Sequence, residues 1–139
     1  MPHSLLRLDT LAKETRLLVM LVDDDFQVRE AGEKMLKRLG YRVSTFASPL
    51  AALDAFRQAP EIFDLVITDL TMPEMSGDEL SRRLRRVRSD VPIIISSGYL
   101  TDDAMNSALV EDCLTISKPF TLLELRGMVE SALYCDVIV

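Results

Sequence analysis

The sequence predicts an α/β domain built on a doubly wound, five-stranded parallel sheet with helices on both faces. Three observations carry that expectation. Apolar runs alternate with stretches of helical periodicity five times along the 139 residues, the order that crossover helices impose on parallel strands. The first run, Leu17 to Val22, is continuously apolar, as a strand buried on both faces should be. Asp23-Asp24-Asp25, Asp69 and Lys118 stand at the carboxyl ends of the runs.

Leu17 to Val22 is the first strand, unbroken and apolar. Val28, Met35, Leu36 and Leu39 then form a stripe of 3.6-residue period, and Gly40 is placed to end that helix. Tyr41 to Phe46 alternates, which suits a strand nearer an edge. Ser48-Pro49 is an N-cap with proline at the first helical position, and Leu50, Leu53 and Phe56 carry the stripe up to Pro60. Ile62 to Thr68 is the third strand, closing on Asp69. Met72 to Gly77 is a loop, and Leu80, Leu84 and Val87 mark a helix whose outer face holds Arg82, Arg83, Arg85, Arg86 and Arg88. Val91 to Ser96 is the fourth strand, Thr101 or Asp102 can cap a short helix reaching Val110, and Leu114 to Ser117 is the fifth strand. Thr121 caps the last helix, whose stripe is Leu122, Leu125, Val129 and Leu133.

Length and composition set the bounds. A chain of 139 residues fits one domain with one core, here assigned to residues 16–135. Residues 1–15 form a tail or linker stub, in which Leu5, Leu8 and Leu11 recur at helical spacing, and residues 136–139 a second tail. At 48% hydrophobic and 27% charged, the balance is that of a folded globular domain rather than a disordered one. A net charge of -6 argues against nucleic acid or anionic lipid as a partner of the whole molecule. The arginine run has no interleaved aromatic residues, so it is expected to be a solvated helix face. Cys113 and Cys135 belong to no CxxC or Cys/His cluster and are expected to be buried, inert thiols. The seven methionines are expected to fill the core. No apolar stretch reaches the length of a signal peptide or a membrane span, so a reduced cytoplasmic setting without membrane attachment is expected.

The chemistry lies at the strand ends. In an open α/β sheet, ligands bind beyond the carboxyl ends of the strands. Asp23 and Asp24 follow the first strand, Asp69 the third, Ser97 the fourth and Lys118 the fifth. Close carboxylates repel by roughly 4 kcal/mol per pair at an effective dielectric near 20, so their gathering calls for a cation. Hard oxygen ligands suit Mg²⁺, which accepts one or two carboxylates together with a phosphate. An aspartate can attack phosphorus to form an acyl phosphate, a transfer that needs in-line positioning and neutralisation of the phosphoryl oxygens. Asp69 would be the nucleophile, Mg²⁺ and Lys118 the neutralisers, and Ser97 a hydroxyl donor to a phosphoryl oxygen.

These residues resemble the receiver domain of response regulators in two-component phosphorelays, and the resemblance covers about residues 17 to 134. Leu21-Val22-Asp23-Asp24 is similar to the family's acidic pair, and Asp69 to Gly77 to the phosphoacceptor and its following loop. Ser97 takes the family's Ser/Thr position, and Lys118-Pro119-Phe120 its lysine with the proline, commonly a cis peptide in this family. The resemblance implies a flavodoxin-like sheet of order 2-1-3-4-5. It implies that Asp24, Asp69 and the backbone carbonyl of Thr71 bind Mg²⁺, with Asp23 acting through water. It implies a histidine kinase or histidine phosphotransfer protein as donor, and no enzyme activity beyond the domain's own phosphorylation and dephosphorylation. The output would be a change on the face made by the short helix to Val110, the fifth strand and the last helix, read by a downstream protein or by a phosphorylation-dependent homodimer. Ser96 to Tyr99 and Met75 to Gly77 resemble receivers attached to hybrid sensor kinases.

The sequence departs from the family where an aromatic residue usually stands three positions before the lysine; Thr115 is there instead. That keeps open a degenerate receiver that docks proteins without phosphorylation, with Tyr99 either a substitute rotor or a surface residue. The triple aspartate also admits the shifted pair Asp24 and Asp25. A haloacid-dehalogenase-like phosphohydrolase would need a second acid where Thr71 stands, and a flavin binder would need a hydroxyl-rich phosphate loop where three aspartates stand.

Overall fold

The apolar runs fold as strands in the computed structural model, which describes residues 17–98 and 113–134. The strands are β1 (Leu18–Val22), β2 (Arg42–Phe46), β3 (Leu65–Asp69), β4 (Ile93–Ser97) and β5 (Leu114–Ser117). All pair in parallel, in the order β2-β1-β3-β4-β5. The expected helix from 101 to 110, Tyr99, Cys135, the leucine stripe of the first tail and both tails lie outside the described residues.

Successive side chains of a strand point to opposite faces, and the core divides accordingly. Met20, Val22, Val66, Ile93 and Ile95 face one side, where they pack with Leu53 and Phe56 of α2 (Pro49–Gln58) and Leu80 and Leu84 of α3 (Gly77–Val87). Val19, Leu21, Leu65, Ile67, Ile94 and Ile116 face the other, against Leu36 of α1 (Phe26–Arg38) and Leu125 and Val129 of α4 (Leu122–Tyr134). Met20, Met72 and Met75 are buried and Met35 and Met128 pack against the core, as the composition suggested.

The helix ends follow local chemistry. Asp25 caps α1 by accepting from the backbone nitrogens of Gln27 and Val28 at 2.9 and 3.2 Å. Gly40, at φ 98°, closes the same helix in a left-handed turn, and the nitrogen of Tyr41 donates back to the carbonyl of Leu36 at 3.0 Å. Ser48 caps α2 ahead of Pro49. At α4, Thr121 and Glu124 cap reciprocally, the Thr121 hydroxyl accepting from the Glu124 nitrogen and the Glu124 carboxylate from the Thr121 nitrogen.

Four strands begin later than the sequence suggests, β1 and β2 by one residue each, at Leu18 and Arg42, and β3 and β4 by more. The third strand starts at Leu65 rather than Ile62, because Pro60–Ile62 forms a 3₁₀ turn that swings Phe63 inward to stack on Phe56, ring centroids 5.8 Å apart. The fourth starts at Ile93, after Pro92, which has no N–H for the ladder, and runs one residue further, through Ser97. The arginine face also differs from a purely solvated one. Arg82 and Arg83 pair with Glu79, but Arg85 donates to the carbonyl of Val91 and Arg88 to those of Pro60 and Phe63, so the end of α3 is stapled to the start of two strands. Cys113 is half-buried and lies 3.0 Å from the Ser81 hydroxyl.

Candidate functional site

The registers bring the strand ends to one rim. Val22 pairs with Thr68, Asp69 with Ser96, and Ser97 with Ser117, so residues that follow β1, end β3 and follow β5 become neighbours. The Lys118 ammonium donates to the Asp23 carboxylate at 2.7 Å across 95 residues of sequence and lies 3.1 Å from the Asp69 carboxylate. Carboxylate oxygens of Asp23, Asp24 and Asp69 lie within 4.8 Å of one another. Asp25 is spent on capping α1, so the pair that faces Asp69 is Asp23 and Asp24.

Burial differs across the cluster. Asp23 is 3% exposed and its other oxygen accepts from the Asp25 nitrogen at 2.9 Å, whereas Asp24 is exposed. Burial raises the Asp69 carboxyl above the ordinary aspartate value; Lys118 opposes this, while the charge of Asp23 adds to it. Burial by itself would lower the Lys118 ammonium, but its bonds to Asp23 and Asp69 and their charges together hold it above the ordinary lysine value. With all four groups ionised, three carboxylates against one ammonium leave a surplus of negative charge. That surplus, on oxygen donors alone, fits a hard divalent cation.

The structure places the other expected site residues as follows. Ser97 is buried at the end of β4, and its carbonyl accepts from the Lys118 nitrogen at 2.9 Å. Thr71 stands exposed in the loop two residues beyond Asp69. The Lys118–Pro119 peptide is cis. Thr115 sits on β5, half-buried, and lines an open groove of about 490 Å³ between that strand and α4, with Leu123, Gly127 and Met128. Beside Lys118 a second, apolar groove of about 480 Å³ runs between α1 and the β5–α4 connection, lined by Val28, Ala31, Met35, Pro119 and Phe120.

Three features of the rim escaped the sequence reading. A Cβ on Gly77 would lie 2.2 Å from the Asp69 carbonyl oxygen, and the Gly77 nitrogen donates to the Leu70 carbonyl at 2.7 Å. The absent side chain is what lets α3 begin directly against the strand that carries Asp69. Ser76 caps α3 through the Glu79 nitrogen, and the Ser-x-x-Glu spacing of Ser76 and Glu79 was the available signal. Glu74 in the same loop accepts from the Ser48 hydroxyl at 2.6 Å, tying the loop to α2, a contact that no local pattern announces.

Comparison with known proteins decides the family. The model of the response regulator receiver domain matches residues 19–130. This chain is a response regulator receiver domain. The receiver is 37% identical over 117 residues to the sensor kinase CckA of Brucella abortus, a match that spans 83% of the chain and 12% of that relative. It is 34% identical over 117 residues to the response regulator receiver protein CpdR of the same organism, spanning 83% of the chain and 95% of that relative. Among solved structures, the receiver domain of a Pseudomonas aeruginosa sensor histidine kinase, described with a magnesium ion coordinated in its active site cleft, shares 27% identity and a TM-score of 0.74. The likeness covers 85% of the chain and 98% of that structure. The receiver domain of the hybrid histidine kinase CckA is similar over 84% of the chain and 98% of its own length, with 26% identity and a TM-score of 0.71. Receivers are signalling modules rather than enzymes in the ordinary sense. Among the described residues no helix is long and apolar enough to cross a membrane.

Proposed function

We propose that this receiver accepts a phosphoryl group on Asp69 from a phosphohistidine of a histidine kinase or phosphotransfer protein, in a cytoplasmic setting. The observation that carries this is the convergence of Asp69 with Lys118 and the Asp23–Asp24 pair at one rim of the sheet. An Asp69 carboxylate oxygen forms the P–O bond as the donor's P–N bond breaks and the imidazole leaves. Asp24, Asp69 and the Thr71 carbonyl, with Asp23 through water, would hold Mg²⁺, which when bound neutralises charge on the phosphoryl oxygens. Lys118, aimed by its bond to Asp23, turns to a phosphoryl oxygen as negative charge builds there, and the Ser97 hydroxyl donates to another. The apolar groove beside Lys118 offers the donor a surface to rest on while its histidine reaches Asp69.

The new dianion would then bias the surface around β5 and α4, where Leu123 is 74% exposed and Leu114 also reaches solvent, for a downstream protein or a second phosphorylated copy. With Thr115 in the groove, that change proceeds without an inward-turning ring at this position. Likeness to CckA supports kinship with receivers of hybrid kinases.

Intact mass after incubation with Mg²⁺ and acetyl phosphate tests this. The parent should gain one phosphoryl group and Asp69→Asn none. A folded parent that binds Mg²⁺ and gains nothing would leave the second reading, a phosphorylation-independent docking module, which Thr115 favours.

A further inference from the structure

Three carboxylates converge at the rim, but they are not held alike. Asp23 is fixed by the Asp25 nitrogen and by Lys118, and Asp69 faces Lys118. The Asp24 carboxylate has no hydrogen bond or ion pair among the described residues, so its place depends on the backbone beneath it. That backbone is the peptide unit joining Asp23 to Asp24, a rigid plane whose rotation would swing Asp24 away from its neighbours. Its carbonyl oxygen, that of Asp23, accepts from Nη1 of Arg29 at 2.7 Å. The Arg29 guanidinium is itself seated over the Phe26 ring, 5.5 Å from its centroid, and the Asp23 nitrogen donates to the Phe46 carbonyl at 3.1 Å on the other side of the same residue.

We propose that Arg29, braced by Phe26, is a positioning residue for the cation site: by clamping the Asp23 carbonyl it holds the Asp24 carboxylate in line with Asp23 and Asp69. This rests on the receiver function proposed above. Charge and positioning act on Mg²⁺ affinity with opposite signs. A cation near an acidic cluster would, through its charge alone, weaken binding of a second cation, so neutralising Arg29 would tighten Mg²⁺ binding. A positioning role predicts the reverse, because groups that orient a ligand typically change metal affinity by about tenfold or more when lost.

Mg²⁺ affinity is measured on the whole chain by calorimetric titration, with amide spectra and melting in EDTA recorded alongside. Arg29→Gln should bind Mg²⁺ about tenfold more weakly than the parent, with its melting temperature in EDTA nearly unchanged and its spectral changes centred on residues 23 to 26. Phe26→Leu, which removes the ring beneath the guanidinium, should lose about two- to threefold. Unchanged or tighter binding by Arg29→Gln overturns the proposal, as does a fall in melting temperature with affinity intact, which would make Arg29 a brace of α1 alone. Should the glutamine variant not fold, Arg29→Lys, which keeps the charge but not the fork, decides: weaker binding than the parent is expected, and equal binding refutes the clamp. A parent that binds no Mg²⁺ would sink the receiver function itself, a result distinct from a parent that binds and a variant that binds equally well.

Discussion

Replacing Lys118 by methionine removes the ammonium held between the buried carboxylate of Asp23 and the half-buried carboxylate of Asp69, and the structure sets the size of the effect. At an effective dielectric near 20, a carboxylate at 3.1 Å is attracted by roughly 5 kcal/mol before solvation is counted. Desolvation of the ions takes back much of this. Truncating one member of a buried pair nonetheless costs about 3 to 5 kcal/mol, because the other charge stays buried without its partner. The side chains of Lys118, Asp23 and Asp69 are 18%, 4% and 13% exposed, so the cluster is largely shielded from solvent and the lower end of that range applies. Metal-free Lys118→Met should therefore lose about 3 kcal/mol near neutral pH, or about 10 °C in Tm. Two conditions should restore much of that loss. Mild acid protonates Asp69, whose carboxyl is already raised by burial and would rise further without Lys118, and Mg²⁺ neutralises the same carboxylates. Urea midpoints in EDTA, at neutral pH and at about pH 4.5, and again with Mg²⁺, provide the test. A loss of equal size at both pH values and unrelieved by Mg²⁺ would refute the idea that Lys118 stabilises the fold through these carboxylates.

Further outcomes follow from the same geometry. Burial lifts the Asp69 carboxyl in the folded state, so its contribution to metal-free stability is complete below the unfolded pKa of about 3.9 and is lost as pH rises through the raised folded value; Asp69→Asn should flatten that decline in unfolding free energy against pH. Gly77→Ala forces a methyl group toward the Asp69 carbonyl and should cost about 3 kcal/mol by denaturant unfolding, while slowing phosphoryl uptake because Asp69 shifts; full stability and full uptake would contradict the close approach. Ser97→Ala should slow uptake from acetyl phosphate by about a hundredfold while leaving Mg²⁺ affinity unchanged; a change in affinity instead would assign Ser97 to the cation. Phe56→Ala, which empties a fully buried ring position against Phe63, should cost about 3 to 5 kcal/mol and leave the sites of phosphorylation unaltered.

The fold was legible because burial on both faces leaves little freedom in what a parallel strand can contain. Runs such as Leu65 to Ile67 and Ile93 to Ile95 carry apolar side chains to both core clusters, and this showed in the sequence as unbroken hydrophobicity. The start of β3 was misplaced because Ile62 is as apolar as a strand residue, yet it is 52% exposed in the turn that Pro60 begins. The strand-end rule found Asp23, Asp69 and Lys118 as separate marks, and parallel register alone sufficed to gather them. The finer placement was not readable. Whether Asp25 serves α1 or the cation depends on where the helix starts, and the Arg88 staple and the Glu74 to Ser48 bond join segments whose approach only the tertiary packing sets. The close fit of Gly77 against Asp69 likewise concerns two backbones, not a pattern of side chains.

The central claim is that Asp69, and no other carboxylate of the cluster, takes the phosphoryl group. Borohydride reduction of the protein after treatment with Mg²⁺ and acetyl phosphate converts an aspartyl phosphate to homoserine, which peptide mass spectrometry places in the sequence. Homoserine at position 69 alone is the expected result. Homoserine at position 23 or 24, or none in a folded protein that binds Mg²⁺, would contradict it.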